Sequence, residues 1–188
     1  MAREFQDNPA LFKELAEDEK IVWKGAPETF PLMTEENKGG LTKRWLGCIV
    51  VAVALIVGML VMLLGTERGG NPWVFIIVLL GVIWYACMPM LDRGKIMKKC
   101  KYYITDRRVI LESDGRDYFS IPLAGVKSEI IPAEEGCVHV NLGCCQGIVG
   151  KKRRVAAFTP KKDENDNICG FVIYNVADSA ELRAIFNK

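Results

Sequence analysis

The cysteines and the histidine of the last third of the chain have side chains that bind metals or act as nucleophiles: Cys137, His139, Cys144, Cys145 and Cys169. Their spacing, Cys-x-His followed by Cys-Cys, does not match the usual zinc templates, and alternation along a strand would put some of them on opposite faces. A Cys–His nucleophile needs an orienting partner, and the chain has a single histidine. We therefore predict no metal, no cofactor and no catalytic residue here, and interpret the thiols as small apolar core residues.

A run of four cations, Lys151, Lys152, Arg153 and Arg154, lies in a segment that we predict to be a loop. Cations near a cytoplasmic leaflet attract anionic lipid headgroups, and each contributes about 1 kcal/mol. Charge runs in loops are also commonly just solvated. These four residues are therefore the candidate lipid-binding residues, with a solvated loop as the alternative.

A second group, Thr105, Asp106, Arg107 and Arg108, places a hydroxyl and two cations beside a predicted hairpin. Such a group could bind an anion. The alternative is a tight turn, in which Thr and Asp side chains bond nearby backbone N–H groups and the arginines pair with carboxylates. The residue types favour the turn.

Two stretches upstream of these residues, 45–65 and 72–91, contain no Asp, Glu, Lys, Arg or His. As helices, each would be about 30 Å long, which is the thickness of the hydrocarbon core of a bilayer. A helix of a soluble protein seldom stays uncharged on every face for this length. We therefore predict a two-span transmembrane hairpin over residues 44–91, between an N-terminal segment (1–43) and a C-terminal domain (92–188).

Small residues recur along one face of the first predicted span, at Gly47, Ala54, Gly58 and Gly65. Small residues at this spacing allow a neighbouring helix to approach closely. We expect the neighbour to be the second span of the same hairpin, with a second copy of the protein as the alternative.

The flanking charges predict the orientation of the hairpin. Cations are concentrated before the first span and after the second, and the connecting loop holds one, Arg68. The positive-inside rule then places both termini in the cytoplasm of a multi-pass protein of the cell membrane. Because the cytoplasm is reducing, we expect no disulfide framework among the seven cysteines. The flanking cations are Lys38, Lys43, Arg44, Arg93, Lys95, Lys98, Lys99 and Lys101.

The C-terminal domain is predicted to be all-β with one terminal helix. Asp114-Gly115 is a strong hairpin signal, and Asp178 or Ser179 is a plausible N-cap for a helix through Phe186. Upstream, Asn8 is expected to open a short helix to about Ala16, and residues 21–23 are expected to form a strand at the edge of the domain. The other predicted strands are 102–105, 107–112, 118–121, 126–131, 138–142, 155–158 and 171–176.

The run Tyr-Tyr-Ile-Thr-Asp-Arg-Arg-Val-Ile over 102–110 resembles the opening motif of bacterial pleckstrin-homology-like (PH-like) domains. The run Glu-Lys-Ile-Val-Trp-Lys-Gly-Ala-Pro over 19–27 is similar to the segment that precedes the membrane hairpin in the anchored members of that family. Beyond Ser120 the likeness is one of pattern only. The resemblance implies a bent barrel of about seven antiparallel strands closed by a C-terminal helix. It implies no activity, since the family has no shared catalytic residues and fold alone does not transfer function.

These observations favour a membrane-anchored interaction or scaffold module that is not an enzyme. Neither span has an ionisable residue of the kind that ion pathways use, and no phosphate-binding glycine loop is visible. The net charge of +2 is too small to indicate nucleic-acid binding. The expected partners are membrane lipids and either a second copy or another membrane protein. The alternative is a sensor of anionic lipid headgroups that uses the basic residues of the domain.

Overall fold

The structure is a computed structural model that describes residues 15–65 and 73–186. The chain forms two compact units, one of Leu32–Leu91 and one of Met1–Pro31 together with Asp92–Lys188. Most of the helix expected over residues 8–16 lies outside the described residues, and Leu15 and Ala16 are not helical.

The first unit contains a long helix, α1 (Lys38–Gly65), and most of a second, α2 (Trp73–Lys99). Both helices are long and apolar enough to cross a membrane, and their large apolar side chains are mostly exposed. The turn before α1 is fixed by Asn37, whose Oδ1 accepts the N–H of Thr34 at 2.9 Å. Each helix extends beyond its apolar stretch, and α2 runs through Pro89.

Contacts within this unit pair the two helices in antiparallel fashion. The indole Nε1 of Trp45 donates to the carbonyl of Ala86 at 3.2 Å. The guanidinium of Arg44 lies 3.8 Å from the ring centroid of Tyr85, in a cation–π contact. Further along, a Cβ on Gly58 would lie 3.3 Å from the ring of Phe75.

The second unit contains two antiparallel sheets and a short ribbon. The four-stranded sheet has the order β1-β2-β3-β4, and the three-stranded sheet has the order β5-β6-β9. Strand β1 pairs with β2, which confirms the predicted edge strand. The strands are β1 (Ile21–Gly25), β2 (Cys100–Thr105), β3 (Arg108–Ser113), β4 (Asp117–Pro122), β5 (Ser128–Pro132), β6 (Cys137–Leu142), β7 (Lys161–Lys162), β8 (Ile168–Gly170) and β9 (Val172–Ala177), and β7 pairs with β8.

The turn between β3 and β4 forms where Asp114-Gly115 predicts it. Asp114 has φ 59° and Gly115 has φ 72°, so both residues adopt the left-handed conformation of a type I′ hairpin. Glycine has no Cβ, and Asp tolerates this region better than most residues.

The expected closed barrel is not what the structure contains. Among the described residues the two sheets remain separate ladders that pack on a shared core. Tyr102 and Leu111 of the first sheet and Ile173 of the second belong to this core and are fully buried. The terminal helix α4 (Ala180–Phe186) contributes Leu182, whose N–H bonds the Ser179 hydroxyl at 3.2 Å, as the predicted N-cap requires.

One predicted strand is wrong. The segment over 155–158 is the end of a helix and a turn, because the basic run itself forms helix α3 (Gly150–Ala156). Lys, Arg and Ala are good helix formers, and burial recurs with helical spacing. Arg153, Arg154, Ala156 and Ala157 are the buried residues of this segment.

Candidate functional site

The Thr105–Arg108 group holds the N-terminal segment against the β2–β3 turn. The Glu19 carboxylate receives Arg108 Nε at 2.8 Å and Arg108 Nη2 at 2.9 Å, a two-pronged ion pair. Its Oε1 also accepts the Thr105 hydroxyl at 2.8 Å, and the Glu19 side chain is only 2% exposed. We call Asp18–Lys20 together with Thr105–Arg108 the clasp.

The other two residues of the motif also bind this segment. Asp106 Oδ1 accepts the N–H of Lys20 at 3.1 Å, and the N–H of Asp106 donates to the carbonyl of Lys20 at 3.1 Å. Arg107 forms an ion pair with Asp18. The four side chains that could have bound an external anion therefore join distant parts of the chain, as the structural interpretation predicts.

The clasp changes the acidity of Glu19. The hydrogen bonds from Arg108 and Thr105 lower the pKa of Glu19 from 4.5 to about 2, although its burial acts in the opposite direction. Glu19 is therefore ionised at neutral pH, and its charge is matched by Arg108.

The predicted cationic loop is corrected to a helix in which the four charges divide into two pairs. Lys151 and Lys152 are exposed, whereas Arg153 and Arg154 are 4% and 6% exposed. Arg153 Nε donates to the carbonyl of Ile148 at 3.1 Å, and Arg154 Nε donates to the Tyr174 hydroxyl at 3.1 Å. Only the two lysines therefore present their charge at the surface.

The turn before α3 is held by a carboxylate on β5. Glu129 Oε2 accepts the N–H of Gly147 at 2.8 Å and the amide of Asn141 at 3.0 Å. These hydrogen bonds lower the pKa of Glu129. Gly147 has φ +67°, which an L side chain rarely adopts, so this turn requires glycine.

His139 is enclosed in the domain on β6. Its Nδ1 accepts the N–H of Asn175 at 2.9 Å, and its ring stacks on Tyr174 with centroids 4.2 Å apart. Burial, with help from the charges of Arg153 and Arg154, lowers the pKa of His139 to about 3. The imidazole is therefore neutral at physiological pH and its Nδ1 is occupied, which suits a structural residue better than a general base.

Two of the cysteines are bonded to each other. Cys144 and Cys169, which are 25 residues apart, form a disulfide, contrary to the expectation of free thiols. Their spacing in the sequence gives no signal of this pairing, because the fold alone brings the two segments together. Cys137 and Cys145 are buried, and burial raises the pKa of both thiols. Within the described residues, no three of the His, Cys, Asp and Glu side chains are grouped as a metal site would require.

The small-residue face of α1 is only partly used inside its own unit. Gly58 contacts Phe75, whereas a Cβ on Gly47 or Gly65 would meet no atom within 4 Å beyond its own stretch of helix in the described chain. Ala54 is exposed.

A feature that the sequence reasoning missed is a groove of about 850 Å³ beside β1. Strand β1 contributes Val22, which is 55% exposed, and the β4–β5 connection and α4 contribute Leu123, Val126 and Phe186. Polar groups also line the groove, from Thr105, Asp106 and Arg107 of the clasp and from Ser128. Exposed Val at a strand edge was the available signal, but β1 is too short to show which of its faces is buried.

No protein-family model, curated protein or solved structure matches this chain. The PH-like resemblance therefore rests on the residues quoted for it and on the order of the elements.

Proposed function

We propose that the protein is a membrane-anchored, non-catalytic interaction module with a PH-like domain, and that the groove beside β1 receives an extended segment of a protein partner. The observation that carries this proposal is the outer position of β1 in its sheet, combined with a groove that is lined by both apolar and polar side chains. Val22 exposes 55% of its surface at that edge, within a groove of about 850 Å³. An extended peptide that adds to a sheet edge gains backbone hydrogen bonds and pockets for alternate side chains.

The PH-like part of the proposal is supported by the arrangement of the strands. One antiparallel sheet has four strands and the other has three, and the C-terminal helix buries Leu182 in the core that they share. The described chain departs from the implied order by inserting helix α3 and the β7–β8 ribbon between β6 and β9. The clasp places Thr105–Arg108 at a hairpin, where the motif of that family would lie.

The non-catalytic part is supported by the internal use of the reactive side chains. Arg108 and Arg154 make hydrogen bonds within the domain, and His139 is neutral with its Nδ1 occupied. A general base with a pKa of about 3 is poorly matched to proton transfer at neutral pH.

A second function, recognition of anionic lipid headgroups, is favoured by one observation. Lys151 and Lys152 are exposed next to each other on α3. Each cation adds about 1 kcal/mol to the free energy of binding near a charged leaflet. Two exposed lysines therefore bind an anionic membrane more weakly than the four cations of the sequence run would.

The test places a photo-crosslinking residue at one position at a time in the full-length protein within its native membrane. We choose position 22 in the groove, position 149 as the control and position 152 for lipid contact. Val149 is a matched control because it is 63% exposed and lies outside the groove. We expect a discrete protein adduct from position 22, and none from position 149.

Substitutions at the same two positions complete the test. Val22→Asp should abolish recovery of the partner found by crosslinking, because a carboxylate would be buried among apolar groups, whereas Val149→Asp should leave it unchanged. Equal adducts at positions 22 and 149 would contradict the groove. A lipid adduct at position 152, without a protein adduct at 22, would favour lipid recognition instead.

A further inference from the structure

The disulfide between Cys144 and Cys169 lies where two segments of the domain cross at close range. Their Cα atoms are 5.5 Å apart. Cys144 belongs to the turn that follows β6, and Cys169 lies in β8, the second strand of the ribbon. The bond therefore links the three-stranded sheet to the ribbon.

Glycines on both sides make this crossing possible. A Cβ on Gly143 would overlap the carbonyl oxygen of Cys169, and one on Gly170 would overlap the carbonyl oxygen of Leu142. The N–H of Leu142 also donates to the carbonyl of Phe171 at 3.0 Å. These backbone contacts do not depend on the S–S bond, so they favour its re-formation when an oxidant is present.

The bond is also accessible, unlike the other thiols of the domain. Cys144 is exposed and Cys169 is half-buried. Cys100, Cys137 and Cys145 are buried. Cys144 therefore lies at the surface of the domain, while the neighbouring Cys145 is shielded in the core.

The flanking charges predict that this accessible bond lies in a reducing compartment. Cations are concentrated on both outer flanks of the two long helices, so the positive-inside rule predicts that the domain is cytoplasmic. Disulfides of cytoplasmic proteins are usually transient and redox-sensing. This step rests on the proposed orientation and is independent of the groove.

We propose that Cys144 and Cys169 are a reversible redox pair that ties the β7–β8 ribbon to the turn after β6. A thiolate of a dithiol reductant attacks Cys144 Sγ, the S–S bond breaks, and Cys169 leaves as a thiolate that takes up a proton. The second thiol of the reductant then attacks the mixed disulfide, Cys144 is released and protonated, and the reductant becomes the disulfide. Oxidised glutathione re-forms the bond by a separate route: one cysteine thiolate attacks it and releases one glutathione thiolate, and the other cysteine thiolate then attacks the mixed disulfide and releases the second.

Opening the pair affects a defined part of the domain. The ribbon is a short two-stranded piece with an exposed turn, whereas β6 and β9 lie side by side and are buried along most of their length. Reduction therefore loosens residues 143–147 and 161–170 and leaves the three-stranded sheet in place. The redox state of the pair thereby sets the order of the segment that joins α3 to β9.

The experiment uses the full-length protein in lipid nanodiscs, equilibrated in buffers with a series of ratios of reduced to oxidised glutathione or dithiothreitol. Alkylation under denaturing conditions, read by mass spectrometry, counts the free thiols. Hydrogen exchange of the folded protein measures how well the backbone amides of the ribbon are protected. Cys145→Ser is the matched control, because it alters the same turn and leaves the pair intact, and Cys144→Ser/Cys169→Ser mimics the reduced state.

We expect two additional thiols to become alkylated together at ratios within the cytoplasmic range. Exchange should increase over 143–147 and 161–170 only, in the wild type and in Cys145→Ser, while the double variant should show the increased exchange in every buffer. A pair that stays closed throughout that range, a pair that never closes, or exchange that increases across β6 and β9 as well would each overturn the proposal. None of these results would change the crosslinking at position 22, so failure of the redox pair and failure of the groove are distinguishable.

Discussion

At the scale of single residues, two arginines of this domain bind partners that are far away in the sequence. Glu19 meets Arg108 and Arg154 meets Tyr174, across 89 and 20 residues respectively. Their residue types were visible in the sequence, and for the Thr105–Arg108 group the structural interpretation was correct. The partners were not visible, because a pairing between distant segments leaves no periodic signal.

The Glu19–Arg108 pair predicts a specific dependence of stability on pH. The pKa of Glu19 is about 2 in the folded domain, below its usual 4.5. A lowered carboxyl pKa stabilises the fold above the usual value, and this stabilisation is lost as the pH falls towards the folded value. We expect thermal unfolding, followed by the fluorescence of the buried Trp23, to show this loss between pH 4.5 and 2.

The Glu19→Gln variant measures how much the Glu19–Arg108 pair contributes to the stability of the domain. At pH 7 we expect the variant to lose about 2 kcal/mol of the free energy of unfolding. Breaking a fully buried ion pair costs about 3–5 kcal/mol, and the cost is smaller here because the Arg108 side chain is 30% exposed. The difference between wild type and variant should shrink as the pH approaches 2. Glu17→Gln, at an exposed position nearby, should behave as the wild type. A constant difference at all pH values would contradict this account.

At the scale of the elements, the sequence predicted those that depend on local signals. The two uncharged stretches, Asp114-Gly115 and the Ser179 cap each appear where expected. The cationic run was misread as a loop because its charge was weighed above its helix propensity, and because the tertiary contacts that bury one side of helix α3 are not visible in the sequence. Arg154 and Tyr174 meet within the core, and Glu129 holds the preceding turn.

The pairing of α1 with α2 predicts different effects for two glycines. A Cβ on Gly58 would lie 3.3 Å from the Phe75 ring, so Gly58→Leu should force the helices apart. Overpacking of this kind costs about 1–3 kcal/mol. We expect a lower melting temperature in detergent micelles for Gly58→Leu and little change for Gly47→Leu, since Gly47 faces open space in the monomer.

A second substitution tests whether the loss arises within one chain. Phe75→Ala should restore part of the stability of Gly58→Leu, because it removes the ring that the new side chain meets. Size-exclusion chromatography with light scattering should give the same oligomer mass for the wild type and for Gly58→Leu. A changed mass without a change in melting temperature would show that Gly58 contacts a second copy instead.

At the scale of the whole molecule, the chain order constrains the topology. Strand β1 precedes both long helices, and its partner β2 follows them. Because the two strands share one sheet, the chain must return to the side from which it left. Two membrane crossings satisfy this condition and one does not. The sheet pairing therefore supports an even number of crossings, independently of the flanking charges, whereas the charges alone predict which side of the membrane the domain faces.

That orientation can be tested by labelling with a membrane-impermeant maleimide, and the result also bears on the disulfide. We expect Gly69→Cys, in the connecting segment outside the described residues, to be labelled in intact cells. Glu164→Cys, at an exposed position between β7 and β8, should be labelled only after permeabilisation. The wild type gives the background from its own thiols, which include Cys87 on α2 and, after permeabilisation, any reduced Cys144. Labelling of Glu164→Cys in intact cells would reverse the orientation, and the Cys144–Cys169 bond would then be a permanent disulfide of an oxidising compartment.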